Sequence, residues 1–172
     1  DSALAAEYLR IIGDFERIAD HSVNILESAE EMQQKGIAFS AAALQEYATM
    51  AGAVREVTAL AYDSFVSSNV QAARQVEPLE QVIDDLKEEM RTRHIRRMQQ
   101  GSCGIEAGFI WSDLLTDLER VSDHCSNIAC CMIEGADHNL HRHEVLQSIR
   151  GSGETFDREY SSYRQKYVLT AE

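Results

Sequence analysis

The chain has 172 residues, with 16 Lys and Arg against 29 Asp and Glu, which leaves a formal net charge of −13. A length of roughly 150 residues is typical of one domain, and a hydrophobic fraction of 44% is too high for a disordered segment. The negative charge argues against nucleic acid and anionic membrane surfaces as partners and leaves proteins, cations and metal ions.

Spacing of the apolar residues predicts helices along the whole chain, and the single proline agrees with that fold class. Ser40 is a suitable N-cap for the second helix, and Gly36 a suitable stop for the first. Pro78 lies early in the third helix, where we expect a kink or a delayed start. The predicted helices cover about residues 2–34, 40–66, 71–100, 104–133, 141–149 and 154–167.

The ends of the chain and its cysteines indicate its context. Asp1 opens directly onto a helix, with neither an initiator Met nor a secretory signal, so we expect a piece of a longer chain. No apolar run approaches the roughly 20 residues that span a bilayer. The four cysteines include a vicinal pair, Cys130 and Cys131, which favours a reducing compartment over a disulfide framework.

One segment occurs twice, at 14–25 and 117–128, with a constant offset of 103 residues. Packing of a helix core requires only apolar residues at these positions, whereas six of the seven identities are polar. The duplication therefore indicates a shared role for polar groups. The duplicated polar residues are Asp14, Glu16, Arg17, Asp20, His21 and Asn24, repeated as Asp117, Glu119, Arg120, Asp123, His124 and Asn127.

Carboxylates one helical turn apart are the strongest candidates for a site. Like charges at this spacing repel by a few tenths of a kcal/mol, and a bound cation offsets that repulsion. We predict that these pairs bind divalent or iron-type metal ions, with Fe, Zn, Ni, Mg and Ca all open. The alternative is a solvated helix face with Arg17 and Arg120 as ion-pair partners. The three Glu-x-x-x-Asp pairs are Glu16/Asp20, Glu80/Asp84 and Glu119/Asp123.

Further polar residues fall into three groups. His21 and His124 either orient metal ligands from behind or pair with acidic residues on the helix surface, and Asn24, Asn127, Arg17 and Arg120 are candidates for the same supporting role. The tail histidines, His138, His141 and His143, are more typical of a polar surface than of a zinc or nickel site. The basic cluster Arg91, Arg93, His94, Arg96 and Arg97 either complements a helix C-terminus or contacts a transporter or lipid phosphate. In the second case, replacing Arg93, Arg96 and Arg97 by Gln should disturb transporter regulation and leave folding intact.

The pattern Glu-Arg-x-x-Asp-His-x-x-Asn-Ile, present twice in an all-helical chain, resembles the PhoU family. The resemblance implies an antiparallel bundle of three-helix repeats whose Glu/Asp-x-x-x-Asp motifs bind metal clusters. Two helices that should precede the first motif are absent, so the first repeat is reduced to its last helix. The expected units are 1–36 for that helix, 37–135 for the second repeat and 136–172 for a C-terminal helical tail.

A narrower resemblance is carried by the segments 94–103, 108–109, 113–116 and 163–167. They resemble the PhoU-like C-terminal domain of bacterial sodium/phosphate cotransporters. This implies a cytoplasmic regulatory domain of an inner or plasma membrane protein, partnered by the transmembrane transporter part of the same chain and linked to inorganic phosphate indirectly.

An enzyme and a purely structural module are the two alternatives to that function. Catalysis by a di-iron site is not expected, because no Glu in the chain has a His three residues on, and the chain has no Gly-rich phosphate loop. The other alternative is a purely structural helical module for dimerisation or docking, without a functional metal. The apolar face of the first helix is expected to be covered either by the second repeat or by a partner chain in a homodimer.

Overall fold

Six α-helices account for most of the residues that the computed structural model describes, which are 2–136, 142–151 and 153–170. The all-α prediction is confirmed. None of the described helices is both long and apolar enough to cross a bilayer. The helices are α1 (Ser2–Lys35), α2 (Ala41–Val66), α3 (Val70–Gln99), α4 (Ile105–Ala136), α5 (Arg142–Gly151) and α6 (Glu154–Lys166).

Local sequence signals set the helix ends. The backbone N–H of Ala43 donates to the Ser40 hydroxyl at 3.2 Å, which confirms Ser40 as the N-cap of α2. Gly36 follows α1 with a φ of 64°, a conformation that glycine adopts without a steric penalty. Helix α3 begins well before Pro78, because Asn69 caps it by accepting from two backbone N–H groups. Of the two effects expected at Pro78, the delayed start is therefore wrong, and the kink stays a prediction.

Helix α4 lies at the centre of the bundle and packs against α1, α2, α3 and α5. Its core side is lined by fully or nearly fully buried side chains, among them Trp111, Leu118, Cys125 and Ile128. Helix α3 packs against α2, α4, α5 and α6, so α3 and α4 together form the centre on which the tail helices rest. This packing brings the acidic residues of α3 and α4 into one region.

Helix α1 is covered on one side only. It packs along α4, and Ile11 is its one buried apolar residue among the side chains described. Leu9, Ile12 and Leu26 are more than half exposed, at 69%, 56% and 59%. Helix α4 therefore covers part of the apolar face of α1, and the cover expected from a partner chain remains a prediction.

Three of the six duplicated polar positions, each present once on α1 and once on α4, hold these two helices together in a reciprocal arrangement. The His21 Nδ1 atom lies 2.8 Å from Oδ1 of Asp117, and the Asn24 amide donates to the same oxygen at 3.1 Å. His124 and Asn127 contact Asp14 in the same way, at 2.8 and 3.0 Å. The two imidazole rings stack with centroids 5.6 Å apart. The His and Asn of each copy bind the Asp of the other copy, so the two antiparallel helices are joined by two equivalent sets of hydrogen bonds. We call these six residues the α1–α4 clasp.

Replacing Asp117 with Ala should lower the free energy of unfolding by about 1–3 kcal/mol, because two polar side chains lose their shared acceptor. The matched control is Asp113→Ala, one turn earlier on α4, where the carboxylate is exposed. Urea unfolding followed by circular dichroism measures both variants. Equal stability of the two variants would show that the clasp does not stabilise the bundle.

Candidate metal centre

Three carboxylates from α3 and α4 converge on one point. Glu80 and Asp84 lie one turn apart on α3, and Asp123 faces them from α4. One oxygen from each residue lies within 4.8 Å of the others, a spacing suited to a shared cation. We call Glu80, Asp84 and Asp123 the acidic triad.

Two triad oxygens are buried without compensation. Glu80 is only 8% exposed, and its Oε2 atom has no hydrogen-bond partner among the described residues. The same holds for Oδ1 of Asp84. A buried acceptor left unsatisfied costs about 1–3 kcal/mol, and more when it is charged. A metal ion bound to these carboxylate oxygens would remove that cost, and oxygen ligands are the ones that hard cations prefer.

The local electrostatics disfavour ionised carboxylates at the triad. Burial, with the neighbouring charges of Glu77, Asp84 and Asp123, raises the pKa of Glu80 to about 8. Burial, Glu119 and Asp123 raise the pKa of Asp84 to about 6. The pKa of Asp123 is also raised, by burial first and then by Glu119. A bound cation would reverse each of these effects by stabilising the ionised form.

Glu119, the fourth residue predicted for this site, lies beside the triad rather than in it. Its Oε2 atom contacts the Lys87 ammonium at 2.6 Å. Its negative charge is close enough to raise the pKa values of Asp84 and Asp123. Whether Glu119 exchanges Lys87 for a metal ion therefore stays a prediction.

Glu77 is a neighbour of the triad that the sequence interpretation did not single out. It is 3% exposed, accepts a hydrogen bond from Ser126 at 2.9 Å and pairs with Arg150 of α5 at 2.6 Å. Its position three residues before Glu80, on the same helix face, was the available signal. Glu77 thus connects α5 to the acidic region.

The pair on α1 lies in a different environment. Glu16 and Asp20 are exposed, and Asp20 lies 3.8 Å from the Arg17 guanidinium. Among the described residues, no group of three potential ligands includes either side chain. This geometry does not support their predicted role in metal binding. Variants of these two residues can therefore serve as controls for variants of the triad.

The supporting residues divide between the clasp and the triad. His21, Asn24 and Asn127 contact aspartates of the clasp, which is the second of the two roles considered for the histidines. His124 does so as well, and both His124 and Asn127 also line a cleft of about 360 Å³ beside the triad. Arg120 lies at the same cleft, 3.3 Å from Asp123.

The basic cluster proves to be largely structural. Arg97 binds the carboxylate of Glu46 through two parallel hydrogen bonds of 2.9 Å, and Glu46 is only 2% exposed. Arg93 lies 3.5 Å from Glu46 and donates to the carbonyl of Thr170 at 2.6 Å. Replacing Arg93 or Arg97 would leave a buried carboxylate without these partners, so the contacts count against the expectation that Arg93, Arg96 and Arg97 can be replaced without affecting folding. His138, His141 and the side chain of His143 lie outside the described residues.

Comparison with known proteins adds an independent finding. A family model described as "PhoU domain" matches residues 47–132. The chain is similar to "Phosphate-specific transport system accessory protein PhoU homolog 1" of Thermotoga maritima, with 28% identity over 149 residues that cover 87% of this chain and 63% of the relative.

A second relative gives a similar result. The chain is 25% identical to "Phosphate-specific transport system accessory protein PhoU homolog" of Deinococcus radiodurans over 132 residues, covering 75% of this chain and 59% of that protein. The chain thus spans about three fifths of the length of the curated relatives it matches. No solved structure gives a significant match.

Proposed function

This chain belongs to the PhoU domain family, and from that premise we propose that it is a metal-binding regulator of phosphate transport and homeostasis. The observation that carries the proposal is the acidic triad, with its two buried carboxylate oxygens that lack partners among the described residues. The names of its relatives, accessory proteins of a phosphate-specific transport system, supply the process. Regulation of this kind requires binding and shape change, and no catalytic step.

The proposed metal ion is held between α3 and α4 by Glu80, Asp84 and Asp123. All three ligands are carboxylates, so the donor set favours Mg, Ca or iron-type ions over Zn and Ni, which prefer nitrogen or sulfur. Bound metal supplies positive charge that removes the repulsion among the carboxylates. It thereby sets the distance between the two central helices and presents a defined surface to a partner.

The tail helices offer a route from the site to that surface. Arg150 of α5 donates a hydrogen bond to Glu77, and its guanidinium is also attracted electrostatically by Glu80 and Asp84. A metal ion in the triad would cancel part of the attraction that holds Arg150. We propose that metal binding therefore weakens the contact of α5 with α3, which couples the site to the tail.

The partner in this proposal is a phosphate transporter, which the domain meets on its cytoplasmic side. The narrower resemblance, to sodium/phosphate cotransporters, would place transporter and regulator in one chain, with inorganic phosphate involved indirectly. We further propose that α1 is the last helix of a first repeat and that α2 to α4 form the second. The coding sequence upstream of Asp1 tests the two points separately. Two amphipathic helices directly upstream would support the repeat, transmembrane helices before them would support the single-chain arrangement, and the lack of either would refute the corresponding point.

Metal content distinguishes this proposal from a purely structural module. Asp123→Asn should weaken metal binding by at least about tenfold, because removing a direct ligand exceeds the effect of removing a supporting residue. The matched control is Asp20→Asn, the equivalent position in the first copy of the repeat, which should retain the metal. Elemental analysis of protein purified without chelator measures both variants. Equal metal content in the two variants would leave the structural alternative.

In cells, the same pair of variants tests regulation. Asp123→Asn should alter phosphate uptake in phosphate-rich medium, and Asp20→Asn should behave like the wild type. Radiolabelled phosphate uptake, with protein levels measured by immunoblot, gives the comparison. Unchanged uptake in an Asp123→Asn strain that has lost the metal would separate metal binding from regulation.

A further inference from the structure

We propose that the groove between the C-terminal half of α3 and the N-terminal half of α4 binds a small organic acid with an apolar body of the size of a phenyl group. The groove encloses about 500 Å³, within the range typical of ligand pockets. None of the triad residues lines it, although Lys87 at its rim contacts Glu119 beside the triad, and the proposal does not depend on metal binding. Its walls are formed by the apolar side chains Ile95, Met98, Ile105, Phe109 and Leu115.

Two buried nitrogen atoms mark the groove as a site rather than a packing defect. His94 is 7% exposed and Trp111 is 1% exposed, and both side chains line the groove. Their Nε2 and Nε1 atoms are buried and have no hydrogen-bond partner among the described residues. The indole N–H is a donor only, so it requires an acceptor such as a carboxylate or carbonyl oxygen.

Gly108 keeps the floor of the groove open. A Cβ atom added at this position would lie 3.1 Å from the His94 Nε2 atom and 3.1 Å from the Met98 sulfur, closer than most such contacts. The imidazole nitrogen therefore points to a place on α4 that has no side chain. Burial, and then the charge of Arg97, lower the pKa of His94, so its ring is neutral near pH 7 and offers one donor and one acceptor.

Charge at the rim selects an anion. The chain as a whole carries a net charge of −13, yet the polar lining of this groove includes Lys87 and Arg91. Lys87 is already held by Glu119, whereas Arg91 reaches Glu88 only at 4.0 Å and its side chain is 66% exposed. The Arg91 guanidinium matches a carboxylate in shape and can bind it through two hydrogen bonds. An apolar acid therefore matches the walls with its apolar body and the Arg91 guanidinium with its carboxylate.

The single tryptophan of the chain makes the test direct, because Trp111 lines the groove. The probes are 4-phenylbutyrate, 4-phenylbutan-1-ol and 4-phenylbutylamine, which share one apolar body and differ in charge. In chelator-containing buffer, we expect a saturable change in Trp111 emission with the acid, with an affinity about tenfold above that of the alcohol or the amine. The indole N–H resonance of Trp111 in a ¹⁵N-labelled sample should shift with the same titration.

Arg91→Gln provides the matched variant, since its side chain is exposed and its loss should not affect folding. We expect it to weaken 4-phenylbutyrate binding about tenfold, whereas Arg74→Gln, an exposed arginine nearer the other end of α3, should leave it unchanged. Three outcomes overturn the proposal: no saturable signal with the acid, equal affinity for all three probes, or wild-type affinity in Arg91→Gln. A response to an acidic apolar peptide but not to 4-phenylbutyrate would assign the groove to a protein partner instead.

Discussion

Adding Mg²⁺, Ca²⁺ or Fe²⁺ to the metal-free protein near pH 8 is expected to raise its melting temperature by about 10 °C. A ligand that binds only the folded state at roughly a thousand times its dissociation constant stabilises that state by about 4 kcal/mol. For a chain of this length, each kcal/mol corresponds to about 2–4 °C. Differential scanning calorimetry, with each cation in turn, measures the increase and ranks the ions.

One variant inside the triad and one variant on α1 test whether the triad binds the stabilising cation. Asp84→Asn should abolish most of the increase, because the three-carboxylate cluster loses one oxygen ligand. Asp20→Asn should retain it, because Asp20 is exposed and outside the cluster. An equal increase in both variants would place the stabilising cation elsewhere on this acidic chain.

Without metal, the protein should lose stability as the pH rises from about 4.5 to 8, by roughly 3–5 kcal/mol. The reason is the raised pKa of Glu80, about 8 in the folded protein against 4.5 ordinarily. Below both values the carboxyl is protonated in either state, so it has no effect. Between them the unfolded chain loses its proton while the folded chain keeps it, and unfolding becomes progressively easier. Above pH 8 the full cost is present.

Glu80→Gln removes the titrating group while keeping its size. This variant should match the wild type near the lower end of that range and exceed its stability by roughly 3–5 kcal/mol above the upper end. Urea unfolding across the range, with chelator throughout, gives the free energies. A wild-type pH dependence in Glu80→Gln would show that the carboxyl is not the group responsible.

Both predictions depend on the competition between protons and a metal ion for the triad carboxylates. Carboxylates must be ionised to bind a metal, so binding at the triad should release protons and weaken as the pH falls through about 8 and then 6. The repulsion that destabilises the metal-free site is the same interaction that a cation would relieve. The site would therefore be sensitive to metal at neutral and alkaline pH and less so in acid.

The repeated segment illustrates how far the sequence leads. The duplication indicates that polar groups matter, and Asp123 lies with Glu80 and Asp84. Yet half of the duplicated polar positions serve the clasp instead, as His21 with Asp117 shows. Repetition signals selection for polar chemistry, but a metal site and an interhelical hydrogen bond produce the same pattern in a single sequence.

Ion pairs over long distances in the chain were beyond sequence reasoning. Lys87 holds Glu119 across the α3–α4 contact, and Arg150 holds Glu77 from the tail. Each pair joins residues on different helices, and their approach depends on how the helices pack. For the same reason, the sequence alone cannot show whether the basic cluster at the end of α3 binds a partner or a residue of its own chain. In the structure, Glu46 is buried beneath this cluster.

The amino-acid sequence by itself determined the helices, their caps and the family, because periodicity, capping and motif spacing act over a few neighbouring residues. Ser40 caps α2 through a hydrogen bond with a residue three positions along the chain, and the doubled motif is visible without any fold. Only the tertiary structure decided that Asp123 joins the triad while its counterpart Asp20 remains on the surface. The physical reason is burial: α3 covers α4 at Asp123, and no described helix covers α1 at Asp20, so the same side chain experiences two different electrostatic environments.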